Sequence, residues 1–204
     1  MSLFSYSTIQ ETTRGLFKEK GSKFLAFAYP VDSEGDIKTN LEALKKEYFD
    51  ARHHCYAWML GADKKHFRAF DDGEPNHSAG DPILGQIRSK GITNVLVVVV
   101  RYFGGTKLGV GGLISAYKKA AEEALNEAII IEKEITETWK LFYLYASTPE
   151  VMRLVKEFDL NITGQKFEDQ CELFFDVKLC YKELFLEKVR LLQATGNLMT
   201  LAAD

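Results

Sequence analysis

The chain has 204 residues, with 26 Lys and Arg against 29 Asp and Glu, for a formal net charge of −3. Its 46% hydrophobic and 27% charged residues exclude a disordered chain, and the slightly acidic balance excludes a protein that coats nucleic acid broadly, leaving room for a local basic surface. No apolar run approaches the roughly 20 residues a membrane helix needs, and Met1 to Phe17 lacks the basic-then-apolar pattern of an export signal, so a cytoplasmic protein without membrane contact is expected.

In chain order, Gly15–Lys20 and Ser22–Tyr29 read as two strands joined by a turn at Gly21. Ile37, Leu41, Leu44 and Tyr48 recur at helical spacing. A strand follows over Ala51–Leu60, with Phe67–Phe70 as its hairpin partner and a loop from Asp71 to Asp81. Val95–Val100 is β-branched and apolar on both faces, which predicts a fully buried central strand. Gly104–Gly112 reads as a glycine-rich loop, and Leu113–Ala128 as a helix with Lys118/Glu122 and Lys119/Glu123 pairs on its wet face.

The charged stretch Glu132-Lys133-Glu134 interrupts the apolar pattern and marks a seam, predicting one domain over residues 1–131 and a second over 135–204. Beyond it come a strand (Glu137–Ala146), a helix capped by Thr148 and begun by Pro149, and a strand (Ile162–Phe167). An alternating strand (Cys171–Cys180), a helix (Lys182–Ala194) and a last strand (Asn197–Leu201) complete the order βαββαβ, the ferredoxin-like plan. The fold class is therefore α+β in two domains. Residues 1–132 carry 17 basic and 17 acidic side chains, whereas residues 133–204 carry 9 and 12, so the second domain is mildly acidic. The three cysteines, Cys55, Cys171 and Cys180, have no C-x-x-C spacing and read as free buried thiols. No metal or other cofactor is expected.

Three segments carry potential chemistry. In Arg101 to Leu113, Gly104, Gly105, Gly109, Gly111 and Gly112 fall between a buried strand and a helix N-terminus, flanked by Arg101 and Lys107. Glycines let backbone approach a ligand, and a helix N-terminus attracts negative charge, so the segment reads as an anion or phosphate cradle or as a tight packing connection. It fits neither the P-loop nor the dinucleotide fingerprint. In the second segment, Arg52, His54, Tyr56 and Trp58 would share one strand face, either stacking on bases and pairing phosphate or serving as a domain-packing surface. His53 and His54 point to opposite faces and cannot easily share a metal. The third, Asp71-Asp72-Gly73-Glu74-Pro75, is either turn chemistry or an acidic site for Mg²⁺ or acid–base work.

At these segments the sequence resembles the YigZ/IMPACT family. The matching runs are Ala51 to Ala57, Asp71 to Pro75, Ala79-Gly80 with Pro82 to Leu84, and Asn94 to Tyr117, in the family's order. The resemblance implies an N-terminal domain shaped like the second domain of a small-subunit ribosomal protein, an α/β sandwich. It further implies a ferredoxin-like second domain like one of elongation factor G. The family's eukaryotic members are translational regulators. One departure stands out: the family's Ser-Gly-Thr-Ala-Gly is here Asn76-His77-Ser78-Ala79-Gly80, with His77 in place of glycine.

The leading functional expectation is a non-enzymatic binding protein that contacts RNA, the ribosome or a translation factor through its N-terminal domain. The alternative is a hydrolase or phosphoryl-handling enzyme using His53 or His54, Asp71, Asp72 and Glu74 beside the glycine loop. A third is a protein-interaction adaptor using the acidic second domain.

Overall fold

The computed structural model describes residues 4–203. The chain divides into two compact units, one spanning Ser5–Lys133 and the other made of Phe4 together with Glu134 to the end of the described residues.

The N-terminal unit is built on a five-stranded antiparallel sheet in the order β2-β3-β6-β4-β5. These strands are β2 (Thr13–Glu19), β3 (Ser22–Pro30), β4 (His53–Leu60), β5 (His66–Phe70) and β6 (Val95–Tyr102). The β2–β3 turn is the two-residue pair Lys20-Gly21, both at positive φ (46° and 79°), the geometry that matches strand twist and fixes the register opposing Glu19 to Ser22. As the unbroken valine run predicts, β6 is central and buried on both faces.

Helices cover the sheet on both sides. On one face Phe24, Ala26, Cys55, Ala57, Val97 and Val99 meet α2 (Gly80–Ser89) and α3 (Gly109–Asn126). On the other, Phe27, Tyr56, Trp58, Val98 and Val100 meet Ile37 and Leu44 of α1 (Glu34–Glu47), whose N-terminus is capped by Ser33. Two short strands, β1 (Ser5–Ile9) and β7 (Ile130–Glu134), form a separate pair.

The second unit contains β8 (Thr136–Tyr143), α4 (Thr148–Glu157), β9 (Asn161–Phe167), β10 (Cys171–Lys178), α5 (Lys182–Ala194) and β11 (Met199–Ala203). The sheet order β11-β8-β10-β9 is that of the ferredoxin-like fold. Cys171, Leu173, Phe175 and Val177 alternate inward from β10 onto Val151, Leu154, Phe185 and Val189 of the helices.

Several local expectations are corrected. Glycines 109, 111 and 112 belong to the first turn of α3, not to a loop that ends before it. Helix α2 occupies a stretch the sequence left unassigned, because Pro82 and Gly85 obscure its period. Thr148 does not cap α4; Ser147 holds the cap position without a side-chain bond, and the Thr148 hydroxyl donates to the Tyr145 carbonyl (2.7 Å). Cys180 is exposed, whereas Cys55 and Cys171 are buried. No helix among the described residues is long and apolar enough to cross a membrane.

Candidate functional site

Strand β6 runs out of the core at Arg101-Tyr102, and the connection to α3 crosses the end of the sheet. There it meets the start of β4 and the Asp71–Pro75 turn. The three segments singled out in the sequence converge on one cleft of about 440 Å³, lined by Arg52, His53, Glu74, Arg101, Phe103 and Lys107 together with Gly109 at the head of α3.

The cations of this cleft are not equivalent. Arg52 and Lys107 are exposed, and neither has an acidic partner within 4 Å among the described residues. Arg101 is only 7% exposed and pairs through Nη1 with Glu74 Oε1 at 2.5 Å. Its Nε–H is buried without a hydrogen-bond partner in the wall of the cleft. Helix α3 begins beside Lys107 with no side-chain cap and no acid in its first turn, so its free N–H groups and partial positive charge are not offset locally.

The glycines divide by role. Gly104 is a packing residue: a Cβ there would lie 1.9 Å from the Gly21 carbonyl carbon, so the β2–β3 turn and the loop touch backbone to backbone, and Gly104 N–H donates to Ser22 Oγ (3.1 Å). Gly105 and Gly109 supply positive φ (87° and 69°) with open space around them. Gly111 also faces open space, while a Cβ on Gly112 would press on Leu108. The packing and ligand readings of this segment therefore apply to different glycines.

The face expected to carry Arg52, His54, Tyr56 and Trp58 is not an open stacking surface. Tyr56 and Trp58 lie in the core beneath α1, and His54 is buried with Nε2 unpartnered. Burial holds the His54 pKa below its ordinary value, against the opposing pull of the Asp72 carboxylate. Arg52 precedes the strand, escapes its alternation and reaches the cleft together with His53. His53 Nδ1 lies 2.8 Å from the Asp72 carbonyl oxygen, which can only accept, so Nδ1 carries a proton and, in the neutral ring, the lone pair is on Nε2.

The three acids do not form a joint site. Asp71 accepts from the backbone N–H groups of His77, Ala79 and Gly80 at 2.8–2.9 Å, capping α2 from outside the helix. Asp72 accepts from His54 N–H (2.7 Å). Glu74 accepts from Arg101 and from the Tyr117 hydroxyl (2.8 Å). Tyr117 in turn lies 3.3 Å from the Cys55 thiol, and burial raises the pKa of both groups. Among the described residues no group of His, Cys, Asp and Glu is arranged to hold a metal. His77 adopts φ +63°, the left-handed conformation that a glycine would take without cost.

Two contributors were missed from sequence, Phe103 and Tyr117. Phe103 is 57% exposed at the cleft edge, and an aromatic directly after a buried strand is the one signal that pointed to it.

Residues 20–125 match the Impact N-terminal domain. The E. coli IMPACT family member YigZ is 34% identical over 73% of this chain and 74% of its own length. A Haemophilus influenzae IMPACT family member is 32% identical over 78% of each chain, and Bacillus subtilis YvyE is 35% identical over 65% of this chain and 61% of that one. A crystal structure of a hypothetical protein superposes with a TM-score of 0.78 at 28% identity, covering 100% of this chain and 98% of the other. The matched domain contains every segment that lines the cleft, and the relatives extend the match along most of the chain: this protein belongs to the IMPACT family.

Proposed function

We propose that the chain is a translation-linked binding protein whose N-terminal unit takes a phosphate-bearing partner, RNA alone or within the ribosome, in the cleft at the head of α3. The observation that carries the reading is the cleft itself. Two unpaired cations, Arg52 and Lys107, flank an uncapped helix N-terminus, and a buried Arg101 Nε–H lacks an acceptor in the same wall. Together these favour an anion. The translational link rests on the family resemblance, whose eukaryotic members are translational regulators.

The test is binding of mononucleotide and of RNA by wild type and Lys107→Ala, at low and moderate salt. The variant should bind about 1–3 kcal/mol more weakly, the range for hydrogen bonds to charged groups. Its melting temperature should be unchanged, because an exposed lysine contributes little to folding. Equal binding by both proteins, or no phosphate ligand bound by wild type, would return the loop to a packing role.

A second reading, a hydrolase or phosphoryl-handling enzyme, is favoured by His53, a residue of the cleft wall whose Nδ1–H is held by the Asp72 carbonyl, so that its neutral ring offers Nε2 as a base. Turnover of a nucleotide or phosphoester that disappears in His53→Ala would carry it.

A further inference from the structure

Phe103 lines two clefts. The second, of about 490 Å³, is walled by Leu16, Lys18, Gly21, Lys23, Leu25 and Tyr102 together with Phe103, whose ring also lies 5.8 Å from the Arg101 guanidinium carbon. These residues come from one face of the sheet. The register places Lys18 opposite Lys23, Leu16 opposite Leu25, and Lys23 opposite Tyr102 on the next strand. Helix α1 buries Tyr56, Trp58 and Phe27 on this face but leaves Leu16, Lys18 and Lys23 exposed.

Two like charges set directly opposite on neighbouring strands destabilise a sheet. Neither Lys18 nor Lys23 has an acidic partner within 4 Å among the described residues. The nearest strand-end acid on the hairpin, Glu19, alternates to the other face, and Asp50 is engaged by the Tyr102 hydroxyl (2.6 Å). The arrangement therefore carries an unrelieved local cost that a bound anion removes. With Arg52 and Lys107 in the first cleft, four unpaired cations line the two clefts that share the exposed Phe103 ring, two in each.

We infer that the N-terminal unit binds single-stranded nucleic acid along a path across both clefts, with a base stacked on Phe103 and backbone phosphates met by Arg52 and Lys107 in the first cleft and by Lys18 and Lys23 in the second. This rests on the anion reading of the first cleft and extends it to a ligand longer than one nucleotide. The chemistry is that of non-sequence-specific single-strand binders: cations track the backbone, and an aromatic face accepts any base. A duplex, with its bases already stacked, has no use for the Phe103 ring. An acidic peptide would satisfy the lysines but gain nothing specific from the ring.

The experiment uses the full chain and fluorescence anisotropy with eight-nucleotide single-stranded RNA, the same sequence as DNA, a matched duplex, a polyglutamate peptide and a mononucleotide. Single strands should bind more tightly than the duplex, the peptide and the mononucleotide; comparing RNA with DNA identifies the natural source. Lys18→Ser with Lys23→Ser should weaken the oligonucleotide about tenfold and reduce the slope of log affinity against log salt by about 1.4, two contacts at about 0.7 each. The same pair should leave mononucleotide binding in the first cleft unchanged. Phe103→Leu should weaken the oligonucleotide about tenfold with the salt slope preserved, and Phe103→Tyr should restore it. Mononucleotide binding that depends on Lys107, with oligonucleotide binding indifferent to Lys18, Lys23 and Phe103, would overturn this inference and leave the anion cleft standing. Duplex or polyglutamate bound as tightly as single strand would overturn it too. No binding of any phosphate ligand removes both.

Discussion

Glu74 receives hydrogen bonds from Arg101 and Tyr117 on the same oxygen, and Tyr117 reaches on to Cys55, so a chain of polar groups runs from the cleft wall into the core. Replacing Glu74 by Ala removes the one carboxylate that neutralises a buried guanidinium, and we expect a loss of about 3–5 kcal/mol in urea unfolding. His54 gives a pH signature. Its folded pKa is lowered by burial from the ordinary 6.5, so protonation favours the unfolded chain. The stability it allows is present above pH 6.5 and is lost as pH falls through that value towards the folded pKa. His54→Gln should show a shallower decline between about pH 7.5 and pH 5.5 than wild type. At this scale the sequence exposed residue types but not partners. The Arg101 cation was legible, whereas its neutralisation by Glu74, 27 residues away, depends on how the Asp71–Pro75 turn folds against β6. The Lys18–Lys23 opposition was within reach, since a two-residue turn at Lys20-Gly21 fixes that register.

Elements with a strong period declared themselves, and elements held by distant groups did not. Val95–Val100 and the alternation from Cys171 to Val177 reappear as β6 and β10 because each faces an apolar layer along its whole length. Helix α2 was hidden because its cap, Asp71, lies outside it, and its first turns contain proline and glycine. Strands β1 and β7 pair across almost the whole N-terminal unit, which no local pattern records. The glycine segment was legible as special but not in its division of labour. Gly104→Ala, forced into the Gly21 backbone, should destabilise by about 1–3 kcal/mol or more. Gly111→Ala, in open space within the first turn of α3, should be neutral or stabilise by up to about 1 kcal/mol. Thermal melts of the two variants side by side distinguish them.

For the whole molecule, the second unit has its own apolar core, from Leu141 and Tyr143 to Val189 and Met199. Residues 134–204 expressed alone should therefore unfold cooperatively in urea, monitored by circular dichroism; a featureless, non-cooperative curve would show that this unit depends on the rest of the chain. Amide exchange offers a different view of the N-terminal unit. Strand β6 is hydrogen-bonded on both edges and shielded on both faces, so its amides can meet solvent deuterium only when the entire sheet comes apart. Val95–Val100 should thus be the last protons to exchange, and their rate a direct readout of global opening. Arg101 continues that same strand, which anchors one wall of the cleft to the slowest-exchanging part of the unit.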